Sequence, residues 1–200
     1  MKFLKSAKKY AAISSLAALG LFLEPATNAN GYERSPSGDI FSLIPTVISE
    51  YETTSISQIV ADEIAKLKNK PPYINEQTIE KLIYAESWNN PLAVSNKGAR
   101  GLMQLQRRTW DEFEMPLEGL DYSTHVFHPR ENIRVGLEYL SWLDDFCKSH
   151  NPQWKHLSNK KRLETVLAAY NWGIGNLSEN GWDISQVPRE TKKYISDISD

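Results

Sequence analysis

The sequence predicts a mainly α-helical fold, formed by a single globular domain from residue 55 to residue 200. Apolar residues recur every three or four positions in several separate segments, which is the spacing of the buried face of a helix. No long segment alternates apolar and polar residues as a half-buried strand does. Hydrophobic residues make up 40% of the 200-residue chain, which is enough to form the core of such a domain.

Two segments precede the predicted domain. Residues 1–29 combine four lysines, an apolar run at 10–23 and small residues up to Ala29, which is the order of a secretory signal peptide. We expect cleavage after Ala29, export to the periplasm or cell envelope, and no stable membrane insertion of the mature chain. An uncleaved membrane anchor is the alternative, but the apolar run is shorter than the roughly 20 residues that span a bilayer. Residues 30–54 are rich in Gly, Ser and Pro and predict a flexible lead-in.

Charge and cysteine content exclude some functions. Loss of residues 1–29 removes four lysines and one glutamate, which changes the formal charge from −2 to −5. An acidic chain argues against nucleic acid as a partner. The one cysteine, Cys147, cannot form an internal disulfide, and its apolar neighbours indicate a buried side chain.

The first predicted helix covers residues 55–70 and ends before Pro71 and Pro72. Ser55 or Ser57 can cap its start. Its apolar face indicates that it packs on the rest of the domain, with contact to a partner protein as the alternative.

The second predicted helix covers residues 75–87, with Asn75 as its cap and Glu86 at the end of an apolar stripe. Further helices are predicted at 129–148, at 161–170 with a stop at 171–175, and at 189–198 after Pro188.

Glu86 is the candidate catalytic residue. Because its helix face is apolar, burial should raise the pKa of its carboxyl and keep it protonated near neutral pH. Cleavage of a glycosidic bond requires such an acid. The alternative is a glutamate that points to solvent or binds a nearby backbone amide.

The segments around Glu86 in the sequence suit a sugar polymer. Gly98 and Gly101 allow close backbone approach. Ser95, Gln104 and Asn171 offer neutral hydrogen-bonding groups, and the aromatic rings can cover the apolar faces of sugars. These rings belong to Tyr170, Trp172 and Tyr194. Alternatively, the rings belong to the core.

Together, the segments 85–95, 97–105, 132–140, 168–173 and 188–194 resemble the soluble lytic transglycosylases in residues and order. The resemblance covers residues 72–198. It implies a goose-type, lysozyme-like fold. One departure is the run Gln106, Arg107 and Arg108 before Thr109, where the family usually has a Met-Pro pair, so a loop beside the cleft is expected to differ.

The resemblance also implies a function, which is non-hydrolytic cleavage of the bond between N-acetylmuramic acid and N-acetylglucosamine in peptidoglycan. Glu86 would act as acid and then as base, giving a 1,6-anhydromuramoyl end. The family pattern assigns sugar binding or orientation of Glu86 to four residues and adds Met103 as a cleft-lining residue and Glu190 near the active site. The four are Ser95, Gln104, Tyr170 and Asn171.

The implied partners are peptidoglycan glycan strands and a cell-envelope secretion or pilus complex that needs local wall opening. No cofactor is implied. Two other functions stay open, namely a true lysozyme that uses water and an inactive glycan-binding assembly protein. His125 and His128 have a spacing that can bind metal, but the surrounding residues indicate a loop and there is no H-E-x-x-H motif, so no metal is expected.

Overall fold

The computed structural model describes residues 54–68, 70–113 and 121–200. The predicted signal peptide, and the lead-in up to residue 53, lie outside these residues. The described helices are α1 (Ile56–Lys66), α2 (Glu76–Ser87), α3 (Arg107–Phe113), α4 (Tyr122–His125), α5 (Pro129–His150), α6 (Asn159–Ala168), α7 (Ile174–Glu179) and α8 (Arg189–Ser199). A 3₁₀ turn covers Trp154–His156, and a π-helical turn covers Ala169–Gly173. None of the helices in this part of the chain is long and apolar enough to cross a bilayer.

Helix α1 packs against α2 and α5, as its apolar face predicts. The Ser55 hydroxyl accepts a hydrogen bond from the Gln58 amide at 3.2 Å and caps its start. The predicted end at residue 70 is wrong, because the backbone becomes extended at Leu67, where the apolar face ends. Arg130 of α5 binds Glu63 at 2.8 Å, which fixes α1 to α5.

Helix α5 is the longest described helix and supplies much of the core. Its apolar stripe is buried and includes Ile133, Leu137, Leu140 and Leu143. Cys147 is also buried, as expected, and burial raises the pKa of its thiol. The helix extends two residues beyond the predicted end, to His150.

The predicted stop at 171–175 agrees with the structure at Gly173, whose backbone is not helical, but a further helix, α7, follows at once. Helix α6 begins after Ser158, whose hydroxyl accepts a hydrogen bond from the Lys161 amide, and the chain continues through the π-helical turn into α7. Gly173 has a φ of 104° and a ψ of 130°, which lie outside the helical region, so this residue separates the π-helical turn from α7. The predicted loop around His125 contains the short helix α4, which the sequence pattern did not indicate because it has only four residues.

Candidate active site

Glu86 lies in the last turn of α2. The Asn75 side chain accepts a hydrogen bond from the Thr78 amide at 2.9 Å and caps the first turn. Trp88 has a φ of 53°, a left-handed conformation that ends the helix directly after Ser87. Ile83, one turn before Ser87, is fully buried, so α2 brings Glu86 to the edge of the core.

The two oxygens of the Glu86 carboxyl have different surroundings. The Tyr194 hydroxyl of α8 donates a hydrogen bond to Oε1 at 2.7 Å. Oε2 is buried, and none of the described residues donates a hydrogen bond to it. The residue as a whole is partly exposed, so solvent reaches part of the side chain while Oε2 is shielded.

Burial raises the pKa of Glu86 to about 8, and the hydrogen bond from Tyr194 acts in the opposite direction because it favours the charged form. Burial also raises the pKa of Tyr170 and of Tyr194, and the nearby Glu86 charge adds to both increases. Both phenols therefore stay protonated at neutral pH, where Glu86 is the group that can exchange a proton. The pKa of Glu86 rises in the direction that the sequence predicts.

The π-helical turn brings Tyr170 and Asn171 into the interior. The Tyr170 hydroxyl donates a hydrogen bond to the Met103 carbonyl at 2.7 Å. The Asn171 amide nitrogen is buried, and none of the described residues accepts a hydrogen bond from it. A buried polar group of this kind is uncommon in native proteins.

Ser95 and Gln104 hold the loop that leads from α2 to α3. The Ser95 hydroxyl accepts a hydrogen bond from the Ala99 amide at 3.0 Å. The Gln104 side-chain amide donates to the carbonyls of Gly101 at 2.9 Å and Ala93 at 3.2 Å. These hydrogen bonds give both residues a role in loop geometry, and the described hydrogen bond to Glu86 comes from Tyr194 instead.

Asn132 of α5 fixes the same loop to the core. Its side chain is fully buried, accepts a hydrogen bond from the Met103 amide at 2.8 Å and donates to the Val126 carbonyl at 2.7 Å. Gly101 makes this packing possible, because a Cβ atom there would lie 2.2 Å from the Asn132 amide nitrogen. In the sequence, Asn132 lies in the segment 132–140 that resembles the family, and no local pattern indicates that it anchors the loop.

Met103 differs most from its expected position, whereas Glu190 lies on the surface of α8, one turn before Tyr194. Met103 has no exposed surface, and a Cβ atom added to Gly136 would lie 2.3 Å from its sulfur, so its side chain packs in the core instead of lining an open cleft. Glu190 is exposed in the first turn of α8. The described hydrogen bond to Glu86 comes from Tyr194, one turn further along that helix.

Tyr194 is predicted above only as an aromatic face, although the apolar face of α8 also indicates a buried hydroxyl. Thr191, Ile195 and Ile198 share the buried side of α8 with it. A tyrosine on such a face needs a partner for its hydroxyl.

No group of three or more potential metal-binding side chains occurs in the described ranges. The rings of His125 and His128 stack with their centroids 5.6 Å apart. His125 Nδ1 lies 3.0 Å from the Thr124 hydroxyl.

Comparison with known proteins identifies similar sequences. A model of the transglycosylase SLT domain matches residues 63–193. The membrane-bound lytic murein transglycosylase C of Photorhabdus laumondii is 35% identical over 108 residues, which are 52% of this chain and 29% of that protein. The membrane-bound lytic murein transglycosylase F of Pseudoalteromonas translucida is 36% identical over 98 residues, which are 49% of this chain and 18% of that protein.

A solved structure is also similar. It is the X-ray structure of an inactive mutant of the lytic transglycosylase Slt from Pseudomonas aeruginosa, with a TM-score of 0.55 and 20% identity over 80% of this chain and 27% of that chain. The likeness confirms the predicted lysozyme-like fold. The chain spans less than a third of the length of each of these three proteins.

Proposed function

The chain belongs to the transglycosylase SLT domain family, and on this basis we propose that it is a peptidoglycan lytic transglycosylase with Glu86 as its acid and base. The observation that carries the proposal is the environment of the Glu86 carboxyl. One oxygen receives the Tyr194 hydrogen bond, the other is buried, and the pKa is about 8. The carboxyl is therefore largely protonated at neutral pH and can donate its proton.

In the proposed reaction, Glu86 first donates its proton to the glycosidic oxygen between N-acetylmuramic acid and N-acetylglucosamine. The bond from that oxygen to the anomeric carbon breaks, and the Tyr194 hydrogen bond stabilises the carboxylate that forms. The carboxylate then takes the proton of the muramoyl 6-hydroxyl, whose oxygen bonds to the anomeric carbon. Glu86 regains its proton, and the product is a 1,6-anhydromuramoyl end with no water consumed.

A single carboxyl suits this reaction better than ordinary hydrolysis. Most glycosidases use two carboxylates, one as acid and one as nucleophile or base. Within the described residues, the pKa of Glu86 responds to burial and to Tyr194, and no second carboxylate contributes to it. The alternative of a true lysozyme differs only in the acceptor, since water would replace the 6-hydroxyl.

The products decide between these functions. The purified protein without its predicted signal peptide would be incubated with peptidoglycan, beside Glu86→Gln, and the soluble muropeptides analysed by mass spectrometry. Anhydro ends, one water lighter than hydrolysis products and missing from the Glu86→Gln sample, support the proposal. Reducing ends would indicate a lysozyme. No products from either protein would contradict catalysis and favour an inactive glycan-binding protein.

We also propose that the protein is exported and opens the wall locally for a secretion or pilus complex. The signal-peptide pattern of residues 1–29 supports export, and an N-terminus at Asn30 in the envelope fraction would test it. Affinity purification of the Glu86→Gln protein after crosslinking in cells tests the partner. Components of such a complex are expected, and a uniform wall distribution without them would contradict this role.

A further inference from the structure

A second surface lies between α2 and α8, in a groove of about 730 Å³. We call it the α2–α8 groove. Its volume lies in the range of ligand-binding sites in proteins. Its lining includes Lys81, Tyr84, Trp88, Glu190, Lys193 and Asp197.

Two aromatic rings dominate one wall of this groove. Tyr84 is 51% exposed and Trp88 is 57% exposed, and they are the large hydrophobic residues that the described part of the chain leaves exposed. Their ring centroids lie 5.2 Å apart with planes tilted by 37°. Exposed hydrophobic surface that lies together marks a binding site more often than scattered apolar residues do.

The remaining lining is polar and carries both signs of charge. Two lysines, Lys81 and Lys193, and three acidic residues line the groove, and Lys193 is hydrogen-bonded to Asp197. The acidic residues are Glu80, Glu190 and Asp197. This near balance does not favour a strongly charged ligand, such as a nucleic acid. Carboxylate and ammonium groups can bind hydroxyl and acetamido groups, while the two rings cover the apolar face of a pyranose.

The groove is separate from the candidate active site. Tyr84 precedes Glu86 by two positions, which turns its side chain by about 200° around α2. Tyr194 joins the two sites, because it lines the groove and its hydroxyl donates to Glu86. A glycan in the groove would therefore lie on the far side of α2 from the carboxyl.

We propose that the α2–α8 groove is an accessory binding site for a neutral, N-acetylated glycan. It holds the domain on one peptidoglycan strand while Glu86 acts on another. This inference rests on the proposed function, which supplies the class of polymer. The groove adds affinity for the wall and leaves the bond-breaking step to Glu86.

Cosedimentation with peptidoglycan sacculi tests the groove, with every variant built on Glu86→Gln so that the polymer stays intact. Replacing both rings, in Tyr84→Ala with Trp88→Ala, should weaken binding about tenfold, since each ring contact is lost. Tyr84→Phe with Trp88→Phe keeps two aromatic faces and should bind as the parent does. Lys155→Ala changes an exposed residue outside the groove and is the control for surface substitution.

A second measurement needs no alanine variant. The tetramer of N-acetylglucosamine is titrated into the Glu86→Gln protein, and the indole N–H resonance of Trp88 is followed by NMR after assignment by its loss in Trp88→Phe. A shift that saturates supports the groove, and no shift overturns it. Unchanged sacculus binding of the double alanine variant also overturns it, while anhydro products from the parent enzyme would leave the proposed function standing. Weaker binding without any products would support the groove and reject the proposed function.

Discussion

Replacing Glu86 by glutamine should stabilise the folded protein at neutral pH, although it abolishes the proposed activity. The ordinary pKa of this carboxyl is 4.5, and burial in the folded protein raises it to about 8. At a pH between these two values, Glu86 is ionised in the unfolded chain and protonated in the folded chain. The stability contribution is therefore fully present below the unfolded pKa and is lost as the pH rises through the folded pKa.

The size of the effect follows from the pKa difference. Each pH unit between the two pKa values lowers the free energy of unfolding by about 1.4 kcal/mol. The loss is thus about 3 kcal/mol at pH 7 and close to zero at pH 4. Glutamine cannot ionise, yet its carbonyl can still accept the Tyr194 hydrogen bond, so Glu86→Gln escapes this loss. A gain of that size raises Tm by roughly 6 to 12 °C in a domain of this length.

Urea unfolding from pH 4 to pH 9, followed by circular dichroism, measures the effect for the parent and for Glu86→Gln. The two curves should coincide near pH 4 and separate steadily up to about pH 8. Glu80→Gln removes a partly exposed carboxyl from the same helix and serves as the matched control. A gain that does not change with pH, or no gain at pH 7, would refute the argument that burial keeps Glu86 protonated.

Three further predictions concern the residues around Glu86. Tyr194→Phe removes the hydrogen-bond donor that lies 2.7 Å from Glu86, so the pKa of Glu86 should rise further. Activity on sacculi should fall about tenfold, and the alkaline limb of the pH–rate profile should move to higher pH. An unchanged profile would contradict this prediction. Asn132→Ala should lower the free energy of unfolding, measured by urea denaturation, by about 3 kcal/mol. The substitution leaves the Met103 amide and the Val126 carbonyl buried without this partner. A loss below about 1 kcal/mol would be evidence against a role of Asn132 as loop anchor. Gly101→Ala should lower the free energy of unfolding more than Gly98→Ala does. Both glycines have positive φ, but only a Cβ at Gly101 would meet neighbours, at 2.3 Å from the Val126 carbonyl. Equal losses of stability would contradict this close approach.

The ends of α2 and α5 could be predicted from their apolar period to within about two residues, whereas α1 ends four residues before its predicted end. The predicted ends of α2 agree with the structure, and α5 begins at the predicted Pro129. Gly173 and its neighbours predict a stop, because glycine usually ends a helix. Ile174 and Leu177 are fully buried, however, and their packing carries the chain on into α7.

The sequence could predict only those features of the candidate site that depend on residues of a single segment. The apolar stripe of α2 predicts the raised pKa of Glu86, since both belong to the same helix. The hydrogen bond from Tyr194 spans 108 residues of sequence, and that from the Met103 amide to Asn132 spans 29. Local periodicity cannot indicate such pairs, because the docking of α8 and α5 decides them.

The proposed acid–base cycle depends on two opposing effects at one carboxyl. Burial alone would keep Glu86 protonated, so it could donate a proton but would be a poor acceptor in the second step. Hydrogen bonding alone would keep it ionised, so it could not donate in the first step. With Oε2 buried and Oε1 bonded to Tyr194, the pKa is about 8, where both forms are accessible near neutral pH. The stability of Glu86→Gln measures the effect of burial, and the pH–rate profile of Tyr194→Phe measures the effect of the hydrogen bond. If either variant shows no change, Glu86 cannot alternate between its protonated and ionised forms as the mechanism requires.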